Sequence, residues 1–233
     1  MIDPGPIMRN TRAERARAQT SWRVSIALAL CFALVLAGLH TIVADFAWWF
    51  ALMALVILVL GGAAAARAFT RRRWLPPLVA AAVAGAFLTA IFAANSAFLF
   101  LVPTFESLRT FGKLVTAGTE SIRTQSVPAE LTTGILFLLC LGIGAIAVLA
   151  DLLANTWRSP ALAGVPLVVV LAIPAAINTA LSDGFIFLLA AAGYLILLRA
   201  GQPRRQTARS VGLGAAAVCL TILLPLVLPP VQE

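Results

Sequence analysis

Ionisable and nucleophilic side chains are sparse in this chain, and few stand at spacings that would bring them together. The one histidine, His40, has Asp45 five residues on, whereas side chains that meet along a helix lie three or four apart. At the end of an apolar run it reads as a polar boundary residue, with a ligand or proton-relay role as the other reading. Cys31, Cys140 and Cys219 sit in three different apolar runs without a CxxC spacing. An apolar setting disfavours the reactive thiolate, so all three read as small packing residues, and an odd count gives no disulfide framework. Asp151, Asn155, Trp157 and Arg158 fall together in the short polar stretch DLLANTWRSP. An Asp151–Arg158 salt bridge would close that turn, with Arg158 reaching toward lipid phosphate. The alternative is a docking site for a cytoplasmic partner. Tyr194, Asn95, Asn155 and Asn178 fit helix–helix hydrogen bonds or helix ends. No catalytic set, cofactor site or metal-ligand set follows from these spacings.

The elements that must position these residues are apolar helices. Hydrophobic residues make up 61% of the 233 and charged residues 11%, with mean hydropathy +1.00. A soluble domain is roughly half apolar and about a quarter charged. Seven runs hold no Asp, Glu, Lys or Arg: 24–44, 46–66, 74–94, 131–150, 161–181, 184–198 and 211–231. A membrane span needs about 20 residues at 1.5 Å each, which all but 184–198 supply. The expected fold is all-α, a polytopic transmembrane bundle of about seven spans. Coupled transporters place ionisable groups inside the bundle. Their absence from the runs argues against a secondary transporter, though one moving a neutral or lipidic substrate survives.

The segment 101–130, LVPTFESLRTFGKLVTAGTESIRTQSVPAE, interrupts this pattern and divides the chain into a three-span part, 24–100, and a four-span part, 131–231. Phe105, Leu108, Phe111, Val115 and Ile122 recur at helical spacing, while Glu106 with Arg109 and Glu120 with Arg123 stand at i,i+3. The pattern predicts a helix, or two broken near Gly112 or Gly118, lying on a membrane surface with its apolar side down. That stripe is a candidate outer-surface platform.

Charge distribution gives an orientation. Residues 1–23 form an Arg-rich tail, unstructured at its start. Arg67, Arg71, Arg72 and Arg73 follow the second run, Arg158 the fourth, and Arg199, Arg204, Arg205 and Arg209 the sixth. Only Arg109, Lys113 and Arg123 remain for the other side, which puts the N-terminus in the cytoplasm and, with seven spans, the C-terminus and segment 101–130 outside. The net charge of +8 then serves topology and anionic-lipid contact rather than nucleic acid. Trp48, Trp49 and Trp74 are expected at the interfaces. Pro76 and Pro77 suit the first turn of the third span. Ala80 with Ala84, and Ala81 with Gly85, permit close helix packing there. Pro160 can begin the fifth span, and Pro166 and Pro174 should kink it.

The segment opened by Pro103, with the later stretches Asp151-Leu-Leu-Ala, Arg158-Ser-Pro-Ala-Leu-Ala-Gly-Val-Pro and Ile173-Pro-Ala-Ala, resembles the N-terminal membrane domain of bacterial transglutaminase-like membrane proteins. The Ala-rich, Arg-over-Lys usage looks actinobacterial. The resemblance implies an anchor and scaffold in the bacterial cytoplasmic membrane, presenting an extracytoplasmic transglutaminase-like domain. The catalytic Cys, His and Asp of that domain have no matching positions in a chain that stops at Glu233, so no enzyme activity is expected of this chain. The resemblance also implies the lipid bilayer, a MoxR-type ATPase and a companion membrane protein as partners. The competing expectation is a stand-alone transport or lipid-handling protein.

Overall fold

A computed structural model describes residues 6–37, 47–70, 72–94, 104–124, 132–157, 159–177 and 184–201. Among these, all regular structure is helical: α1 (Pro6–Ala37), α2 (Ala47–Phe69), α3 (Leu75–Phe92), α4 (Phe105–Thr124), α5 (Thr133–Asp151), α6 (Gly164–Ile177) and α7 (Gly184–Gly201). Three of these regions, Trp48–Phe69, Leu75–Phe92 and Thr133–Thr156, are long and apolar enough to cross a membrane, while Ser21–Ala37 and Ala190–Gly201 are shorter apolar stretches. The run 211–231, His40, Asp45, Asn95, Asn178 and Cys219 lie outside the described residues.

The N-terminal tail is helical from Pro6, where a proline costs no helical hydrogen bond, and its Ala, Arg, Glu and Gln residues favour the helix. α3 carries prolines in its first turn as the sequence predicts. In the fifth run the structure departs from expectation. Pro160 sits in a turn, and α6 begins only at Gly164. Pro166 therefore falls in the first helical turn, where no hydrogen bond is lost, and not at a mid-helix kink.

α2 and α5 form the centre. α2 packs on α1, α3 and α5, while α5 also meets α3, α4 and α6, and α1 meets α7. Leu28, Phe32 and Leu36 of α1 share one buried cluster with Leu52, Leu55, Val56 and Val59 of α2 and Phe137 and Cys140 of α5. Cys31 belongs to the same cluster. Trp48, expected at an interface, is buried within it, and its indole N–H finds no acceptor among the described residues. Ala80 and Ala84 turn inward at the α3 contact, whereas Ala81 is exposed.

α4 is one unbroken helix through Gly112 and Gly118. Its attachment to α5 is a backbone-to-backbone contact. A Cβ on Gly118 would stand 2.6 Å from the Gly134 carbonyl oxygen, and one on Gly134 would stand 2.6 Å from the Gly118 nitrogen. Only glycine at both positions allows this approach. Thr132 caps α5 by accepting a hydrogen bond from the Ile135 amide (3.3 Å) and donates one to the Ser121 hydroxyl (3.4 Å). Phe137 stacks on Phe111 at 5.2 Å and meets Phe92 edge-on at 5.2 Å. α4 is thus fastened to the first turns of α5, beside the last turn of α3.

Gly118→Ala should push α4 off α5 and speed tryptic cleavage at Arg109, Lys113 and Arg123, because overpacking costs about 1–3 kcal/mol. Gly112→Ala, whose Cβ would meet open space, should leave cleavage unchanged or slow it.

Candidate functional site: a buried ion pair joining three helices

At the far end of α5 from α4, the helix meets a charge. Asp151 is 0% exposed, and its carboxylate is held by Arg67, near the end of α2, at 2.7 Å and 3.1 Å. The guanidinium is planar with five N–H donors, which suits this two-point grip. Its Nε donates to the Ser21 hydroxyl at 2.8 Å and Nη2 donates to the Ser25 hydroxyl at 3.0 Å, both on α1. Asn155 donates to Asp151 Oδ1 at 3.0 Å. Three helices are therefore joined through one polar node with both charges compensated. Two ions taken from water are stable only in such a fully bonded arrangement.

Past Asp151 the helix widens into a π-helical turn, Leu152–Thr156, with the Trp157 amide reaching back to the Leu152 carbonyl. Such widened turns recur at functional positions in helices. This one carries Asn155 back toward Asp151 and leaves Trp157 exposed.

Several groups gather at this end. Gly201 lies against Pro160, and the Tyr194 hydroxyl donates to the Ala161 carbonyl at 3.0 Å, so the C-terminal end of α7 belongs here too. Trp22, Trp74 and Trp157 are exposed, as are Arg23, Arg72, Arg73 and Arg199. Indoles beside cations are the pattern typical of membrane–water interfaces. The 19 residues of α5 measure about 28 Å at 1.5 Å per residue, close to the thickness of a hydrocarbon core.

Asp151 is paired with Arg67, and the Asp151–Arg158 pairing expected from the sequence falls on Arg158, outside the described residues. Full burial removes Asp151 from any docking surface, whereas Trp157 remains available; Arg158, Arg71, Arg204 and Arg205 lie outside the described residues. From the sequence, Arg67 has only a place in a topology cluster, and Ser21 and Ser25 have no role. A signal existed. The runs 46–66 and 131–150 each stop one residue before a charge, Arg67 and Asp151, of opposite sign. The outer stripe is divided: Phe111 and Val115 pack against the core, and Phe105, Leu108 and Ile122 are exposed. Arg109 lies over the Phe105 ring at 5.1 Å. Among the described residues no cluster of His, Cys, Asp and Glu could hold a metal ion.

Described residues whose regular structure is all helical, with three helices of membrane-crossing length and a buried ion pair at one end, define the class of helical membrane domains. The chain belongs to the TgpA N-terminal domain family, whose model matches residues 19–233. This agrees with its resemblance to the N-terminal domain of transglutaminase-like proteins. The family is an N-terminal domain, distinct from the catalytic one. No curated protein and no solved structure matches the chain.

Removing one partner from a buried ion pair costs about 3–5 kcal/mol, while an apolar replacement of both is far milder. Asp151→Leu and Arg67→Met should each destabilise the protein strongly in detergent or bicelle unfolding. The double variant should return to within about 1–2 kcal/mol of the native protein, a non-additivity that marks direct coupling.

Proposed function

We propose that this chain is the membrane anchor and scaffold of a transglutaminase-like protein, holding an extracytoplasmic domain of that type at the outer face of a bacterial cytoplasmic membrane. The family match over residues 19–233 carries the reading. In this reading the bundle crosses the membrane seven times, with a three-span part (24–100), an outer segment (101–130) and a four-span part (131–231), and performs no chemistry itself.

Orientation follows from the charges. The node end displays Arg23, Arg72, Arg73 and Arg199. α4, at the opposite end of α5, carries Glu106 and Glu120 against Arg109, Lys113 and Arg123 and is nearly neutral. The positive-inside rule puts the node in the cytoplasm and α4 outside. The arginines there suit anionic lipid, and with Trp157 they form the face open to a MoxR-type ATPase or a companion membrane protein. α4 is the platform against which the outer domain rests.

Two readouts test this. In intact cells a membrane-impermeant maleimide should label Glu120→Cys and reach Arg73→Cys only after permeabilisation; the reverse pattern inverts the topology. Protease shaving of those cells should release a transglutaminase-like fragment and leave the helical bundle in the membrane. A native product of 24.5 kDa, with no outer fragment, would overturn the anchor role.

A further inference from the structure

The register of α4 gives it three sides. Ser107, Phe111, Leu114 and Gly118 form the side turned toward the bundle. Glu106, Arg109, Lys113 and Glu120 cluster on the opposite side. Between them runs a third line, Leu108, Val115 and Ile122, at intervals of seven residues, which drift only about 20° per heptad around a helix. Leu108 is 57% exposed and Ile122 58%, with Val115 half-buried between them. The usual two-sided amphipathic helix leaves no such line once it has docked.

We propose that Leu108 and Ile122, with the part of Val115 that the core leaves open between them, are covered by the acyl chains of the outer leaflet, making α4 a helix shared between protein, lipid and water. The proposal rests on the reading that the bundle crosses a membrane. The depth of α4 supports lipid as the occupant. Gly118 touches Gly134 in the first turn of α5, and Phe111 and Phe92 both pack on Phe137. α4 therefore lies at the ends of two helices of membrane-crossing length, α3 and α5. This is the headgroup–acyl boundary, where interfacial helices sit with their apolar side about 5–10 Å deep. The line is also one residue wide, too narrow for a stable protein partner, whose contact would bury about 800 Å² per side. Lipid needs no such breadth. Arg109 and Lys113, on the water side, are placed to stay in the headgroup region.

The probe is a bimane fluorophore on single cysteines of the full chain, with Cys31, Cys140 and Cys219 replaced by alanine, reconstituted in phosphatidylcholine vesicles. Labels at Leu108→Cys and Ile122→Cys should be quenched several-fold more by lipids brominated high on the acyl chain than labels at Lys113→Cys and Glu120→Cys. Aqueous iodide should give the opposite order. Equal iodide quenching at all four positions would overturn the proposal in favour of a solvated helix. Quenching of the 108 and 122 labels by neither agent would overturn it in favour of a protein cover. Leu141→Cys, on an exposed side of α5, separates the two failures. If that label also escapes lipid quenching, the membrane reading itself is wrong; if it is quenched, only the α4 proposal falls.

Discussion

A carboxylate that leaves water at the end of an apolar helix has to find a cation there, and Asp151 finds Arg67. Much of the architecture follows from that constraint. The pair fixes where α2 and α5 stop relative to one another, because a slip of either helix by one turn would separate the charges by about 5 Å. Ser21 and Ser25 extend the constraint to α1, using the guanidinium donors that the carboxylate does not occupy. Hydrophobic contacts along the helices are non-directional and tolerate sliding. The hydrogen bonds of the node do not, so register is set by polar chemistry and held by apolar packing.

α5 transmits this register to the other end. It begins at the close contact between Gly134 and Gly118 and finishes at Asp151, so the same helix positions α4 and the ion pair. Its length, about 28 Å, matches one hydrocarbon thickness. Under the proposed anchor reading, the tryptophan and arginine side chains at one end and the docked, nearly neutral α4 at the other mark two boundaries of one layer. An anchor needs this arrangement: a fixed depth in the bilayer and an outer element held rigidly against the bundle. The family is an N-terminal domain and not the catalytic part of its proteins.

The sequence disclosed the helices more readily than their contacts. Uninterrupted apolar runs mark α2, α3 and α5, and the spacing of Phe105, Phe111 and Val115 marks α4, because both signals are local. The division of that apolar stripe into packed Phe111 and exposed Leu108 depends on where α5 lies, which no periodicity records. Trp48 was misplaced for a similar reason: indoles favour interfaces, but neighbouring helices bury this one. Arg67 looked like one more arginine in a topology cluster, and Asp151 looked nearest to Arg158. Sequence proximity suggests a partner seven residues away, whereas the partner the fold supplies to Asp151 among the described residues lies 84 positions distant. Recognising it needs the premise that two neighbouring parallel spans, both running toward the same face, end at the same depth, which puts Arg67 and Asp151 side by side.

The most direct measurement is rotational-echo solid-state NMR on the full chain in lipid bilayers, with nitrogen-labelled arginine and carbon-labelled aspartate, using Asp151→Asn to assign the signal. Direct contact, with Arg67 Nη1 2.7 Å from Asp151 Oδ2, predicts strong dephasing of the Asp151 carboxyl carbon by guanidinium nitrogen. An Asp151 signal that does not dephase would place its partner elsewhere and remove the constraint that orders α1, α2 and α5.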